Sequence, residues 1–63
     1  MTIGEQAKEL LEEKNWNQND LSENSGVSIT QINRLLNGVG YPSLRTLERV
    51  AKVFEKELVI EFI

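Results

Sequence analysis

Ile3, Ala7, Leu10 and Leu11 recur at i, i+4, i+7 and i+8, one face of a 3.6-residue period, and predict a first helix over 3–14. Thr2 with Glu5 three residues on makes a capping box, in which each side chain satisfies the other's backbone amide. Asn15-Trp16-Asn17 interrupts the pattern. Asn17 suits an N-cap, and Trp16 before it pairs with Leu21 as a hydrophobic staple, so a second helix follows over 18–25. It stops at Gly26, a residue that takes the left-handed C′ conformation at little cost. Ser28 with Gln31 reads as another capping box, and Val27 with Ile32 as another staple, opening a third helix over 29–37. The stretch 38–42, Gly-Val-Gly-Tyr-Pro, holds two of the four glycines and the only proline and is the main break in the chain. Ser43 then caps a fourth helix over 44–54, with Leu44, Leu47, Val50, Ala51 and Phe54 as its apolar positions. From Glu57 the period changes to two. Leu58, Ile60 and Phe62 fall on one side and Val59, Glu61 and Ile63 on the other, which predicts a strand over 57–63.

At 63 residues the expected organisation is one domain, 1–63, with a core that supplies only about 3–5 kcal/mol and benefits from oligomerisation. Cysteine and histidine are both absent, which removes disulfides, thiolate metal sites, the commonest metal ligand and the commonest general base. No metal or cofactor is expected, and no enzyme. So short a chain is also expected not to enclose a ligand pocket of about 300 Å³ or more. Glu12 and Glu13 diverge by about 100° on a helix and make no catalytic carboxylate pair. The longest apolar run, Leu58-Val59-Ile60, is far short of a membrane span, and nothing near Met1 resembles a signal peptide. The expected location is the cytoplasm.

Two short helices joined through Gly26 make a helix-turn-helix unit. On its second helix Ile32, Leu35 and Leu36 fall together as a buried stripe, and Ile29, Thr30, Asn33 and Arg34 cluster opposite. That outer face suits the floor of a DNA major groove: Arg34 can bond guanine in two places and Ile29 can pack on a thymine methyl. Such a face is otherwise simply solvated. Asn17 and Gln18 stand at a helix N-terminus, where amides and dipole favour an anion. Lys14 and Arg45 are further candidate phosphate contacts or solvated cations, and Trp16 reads as core.

The run from Gln18 to Gly38 resembles the phage Cro and lambda-type repressor family. Gln18, Leu21, the small Ser22, Gly26-Val27, Ile32, Leu35 and Asn37-Gly38 stand at its spacing, and Pro42-Ser43-Leu44 and Leu47 to Ala51 continue the match. The resemblance implies an all-α, compact four-helix fold that binds a palindromic double-stranded DNA operator and regulates transcription, as a repressor, controller or antitoxin. An antitoxin's partners would include a protein such as a toxin. Base-reading positions would be Ser28, Ile29, Thr30, Asn33 and Arg34, and phosphates would meet Asn17, Gln18 and Asn37. Many relatives bury an Arg–Glu ion pair where Leu11 and Leu36 stand here, and end the fourth helix with a glycine where this chain has Glu55.

The net charge of −3 argues against a nucleic-acid partner and has to be located. Residues 1–16 hold four glutamates against two lysines, and residues 48–63 four glutamates against three cations. Residues 17–47 hold two acids and two arginines, so the candidate reading region is neutral. The rival expectation is a protein-interaction module that docks through its acidic first helix.

The predicted strand has no partner within the chain, because every other segment reads as helix or loop. Buried backbone groups need partners, and an apolar edge left open invites aggregation. Pairing with the same strand of a second copy would satisfy it and bury Leu58, Ile60 and Phe62 in a homodimer; the competing expectation is an irregular tail lying on its own helices.

Overall fold

A computed structural model describes residues 2–59 and residue 62. Four helices follow one another: α1 (Ile3–Lys14), α2 (Gln18–Ser25), α3 (Ile29–Asn37) and α4 (Leu44–Val53). Local chemistry sets each start. Thr2 Oγ1 accepts from Glu5 N while Glu5 Oε1 accepts from Thr2 N, both at 3.2 Å, completing the first capping box. The Thr2 backbone amide and then its hydroxyl hold the Glu5 carboxyl below its ordinary range. At Ser28 only half of the expected box forms. Its hydroxyl accepts from Gln31 N, but Gln31 Oε1 accepts instead from Thr46 Oγ1 at 3.4 Å, linking α3 to α4. Ser43 caps α4 by accepting from Thr46 N at 3.1 Å.

Three helices end in the same way. The residue at C′ bonds back three positions and the next amide bonds back five: Asn15 and Trp16 after α1, Gly38 and Val39 after α3, Glu55 and Lys56 after α4. Asn15 and Glu55 adopt φ of 56° there. Asparagine tolerates the left-handed region, whereas glutamate sits in it against a cost of about 1–2 kcal/mol. The fourth helix therefore stops at Val53, with Phe54 as cap, one residue short of the 44–54 expectation. Glu55→Gly is expected to raise stability by about 0.5–1 kcal/mol, after allowing for glycine's larger entropy loss on folding. Urea unfolding monitored by circular dichroism measures it.

The core gathers Ala7 and Leu11 of α1, Leu21, Val27, the α3 stripe Ile32, Leu35 and Leu36, and Val50 and Phe54. Leu21 and Ile32 are wholly buried. Leu11 and Leu36 join one cluster, where two apolar side chains carry none of the desolvation cost of a buried ion pair. Gly4 is buried against the end of α3: a Cβ there would stand 2.6 Å from the Leu35 carbonyl oxygen, so a larger residue would push the two helices apart. Trp16 is half-buried, its ring 6.2 Å from that of Phe54, with Lys14 Nζ 5.0 Å above it. Leu44, by contrast, is 57% exposed and belongs to the surface rather than the core.

Among the described residues no strand is present, and Glu57 to Val59 run without regular structure. Ile60, on which part of the strand expectation falls, lies outside the described residues. Leu58 is half-buried, while Val59 and Phe62 are exposed. Leu58 and Val59 form one wall of a groove of about 480 Å³ whose apolar lining includes Ile3, Leu10, Leu47 and Ala51. The groove is open to solvent and is not an enclosed pocket. Helices α1 and α4 leave a furrow between them because no further described element fills it.

Candidate nucleic-acid interface

The turn between α2 and α3 is fixed by short side chains. Ser22 Oγ donates to the Val27 carbonyl at 2.6 Å, and Ser25 Oγ accepts from Val27 N at 3.2 Å. With Val27 and Leu21 buried on either side of it, the turn holds α3 rigidly against α2. Burying Ile32, Leu35 and Leu36 then turns the opposite side of α3 outward. Ser28, Ile29, Thr30, Asn33 and Arg34 are all exposed. The five candidate base-reading residues therefore lie on one open surface.

The candidate phosphate residues border it. Asn17 caps α2: its Oδ1 accepts from Asp20 N, and Asp20 Oδ2 accepts from Asn17 N, both at 2.9 Å. This reciprocal box was not read from the sequence, although Asn17 and Asp20 have its spacing. It also places a carboxylate at the positive end of α2, which offsets the attraction that end would exert on a phosphate. Gln18 and Asn37, from two different helices, are joined through Asn33. Asn33 Nδ2 donates to Gln18 Oε1, and Asn37 Nδ2 donates to Asn33 Oδ1, each at 3.2 Å. Asparagines at i and i+4 on α3 carry the signal for the second link; the first needs the packing of α2 on α3 and is not visible in sequence.

On the other flank the loop at 38–42 closes up to the reading face. Arg34, Val39, Tyr41 and Pro42 line a recess of about 150 Å³, and Tyr41 is fully exposed. A Cβ on Gly40 would come within 2.9 Å of Arg34 Nη2, so the guanidinium lies over a residue that has no side chain to displace it. Lys14 is exposed with its Nζ over the Trp16 ring, and Arg45 is exposed on the first turn of α4.

The helix-turn-helix family model matches residues 8–60, most of the chain. Neither the curated proteins nor the solved structures provide a match. The chain belongs to the lambda-repressor-like helix-turn-helix family, a family of DNA-binding domains of transcription regulators rather than of enzymes. Among the described residues no helix is long and apolar enough to cross a membrane.

Proposed function

We propose that this protein binds a palindromic DNA operator as a homodimer and regulates transcription, reading base pairs with the outer face of α3. The observation that carries this reading is the division of α3. Its apolar stripe is sealed in the core, and Ile29, Thr30 and Arg34 stand open beside a helix-turn-helix turn braced by Ser22 and Ser25. Arg34 supplies a planar donor for guanine, and Ser28, Ile29 and Thr30 supply short polar and methyl contacts at the start of the helix. Asn17, Gln18 and Asn37 hold the phosphates on either side. Dimerisation through residues 57–63 is supported by the exposed apolar side chains of Val59 and Phe62 and by the open apolar groove that Val59 lines. It would set two recognition helices about 34–36 Å apart, one turn of DNA. Repressor, controller and antitoxin roles all use this arrangement.

A neutral reading region makes the salt dependence small. One or two cationic phosphate contacts per protomer give a dimer a log–log slope of about −2 to −4. An anisotropy titration on random-sequence duplex at rising salt tests the reading. Binding at low salt with that slope supports it, whereas a slope near −8 places the DNA on a different face. No binding at low salt favours the rival reading, a protein-docking module, for which the exposed Glu9, Glu12 and Glu13 of α1 speak.

The two kinds of contact separate by mutation. Arg34→Ala is expected to cost about 1–3 kcal/mol on the preferred site and to relax choice at one base pair. Asn17→Ala and Gln18→Ala should weaken every sequence alike, because phosphates carry no sequence information. Equal loss on operator and random DNA for Arg34→Ala would move that residue to the phosphate set.

A further inference from the structure

We propose that Asn33 is a positioning residue: its carboxamide, braced by Asn37, fixes the Gln18 amide so that Nε2 faces a DNA phosphate oxygen. The inference rests on the DNA-reading function above and assigns Asn33 a role different from base readout. Three amides form one directed chain, with Asn37 Nδ2 donating to Asn33 Oδ1 and Asn33 Nδ2 donating to Gln18 Oε1. Every link runs the same way, so each bond polarises the next.

The chain's direction decides what its end can bind. Gln18 has its acceptor turned toward α3, which leaves its two Nε2 hydrogens as the free group at the first residue of α2. A phosphate oxygen only accepts, and an amide presented nitrogen-first meets it without a wrong orientation to exclude. An unbraced glutamine would offer oxygen or nitrogen in turn and pay rotamer entropy to settle. Asn33 itself is poorly placed to read adenine, since bidentate recognition needs an amide's donor and acceptor together. Its acceptor and one donor hydrogen are already engaged along the protein surface. Asn33 and Asn37 are exposed and Gln18 half-buried, so the chain contributes little to the core and can be altered without unfolding the domain.

The test compares full-length wild type, Asn33→Ala, Gln18→Ala, the double variant and Asn33→Asp, each checked for an unchanged melting temperature. Affinity is measured on a random-sequence duplex and on a duplex selected by the wild type. Asn33→Ala is expected to weaken both about three- to tenfold, near the worth of one hydrogen bond, with base preference unchanged. Gln18→Ala should then add almost nothing in the Asn33→Ala background. Asn33→Asp should lose more than Asn33→Ala, because a carboxylate only accepts, turns Gln18 oxygen-first and adds a negative charge. Relaxed preference at one base pair with random-sequence affinity intact would make Asn33 a reader and overturn the proposal. Additive losses in the double variant would overturn it as well. A wild type that binds neither duplex would overturn the DNA-reading function itself, and the proposal with it.

Discussion

Leu11→Ala is expected to lower the stability of this domain by about 2–5 kcal/mol, as truncation of a buried leucine does. Leu11 is buried on α1 and belongs to the same cluster as Leu36 at the end of α3. A smaller side chain leaves a void that rigid helices on both sides cannot close. Because a 63-residue core supplies only about 3–5 kcal/mol, the loss is comparable to the whole, and much of the protein should unfold at 25 °C. Leu36→Ala should act in the same range, and the double variant should cost less than the sum, since neighbours share one cavity. Urea unfolding followed by circular dichroism measures all three. An unchanged midpoint for Leu11→Ala would mean that α1 does not depend on this contact.

The second large effect concerns the C-terminal segment. A chain ending at Lys56 is expected to sediment as a monomer where the full chain is a dimer, and to lose about 10²- to 10⁴-fold in affinity for a palindromic site. The factor comes from effective concentration. When one recognition helix has bound, the second half-site is met by a tethered partner rather than by a free molecule. The truncation removes Leu58, Ile60 and Phe62, the residues proposed to be buried between the two copies. Affinity for a single half-site should change little. A truncated chain that remains a dimer would take residues 57–63 out of the interface and leave a helix-mediated contact in their place.

Most of the helical framework was legible because short-range chemistry specifies it. The Thr2–Glu5 box, the Asn17 and Ser43 caps, and the stops at Gly26 and Gly38 each rest on residues within five positions of one another. The buried stripe and the open face of α3 were legible for the same reason, since helical period alone separates Ile32, Leu35 and Leu36 from Thr30, Asn33 and Arg34. What pattern reading missed depends on how elements meet. Gln31 turned to Thr46 instead of Ser28, because α4 offers a hydroxyl within reach. The close fit of Gly4 against the Leu35 carbonyl exists only through the packing of α1 on α3. Leu44 is an apolar position of α4 by period, yet its side chain is exposed. The Gln18–Asn33 bond spans fifteen residues and exists only once α2 and α3 are packed.

The most direct test of the central claim is the NMR amide spectrum of the full-length protein titrated with a DNA duplex at low salt. The account predicts that shifts concentrate at Asn17 and Gln18, from Ser28 through Arg34, and at Asn37, with the acidic face of α1 unmoved. Shifts confined to Glu9, Glu12 and Glu13 of α1, or no shift at all, would contradict it.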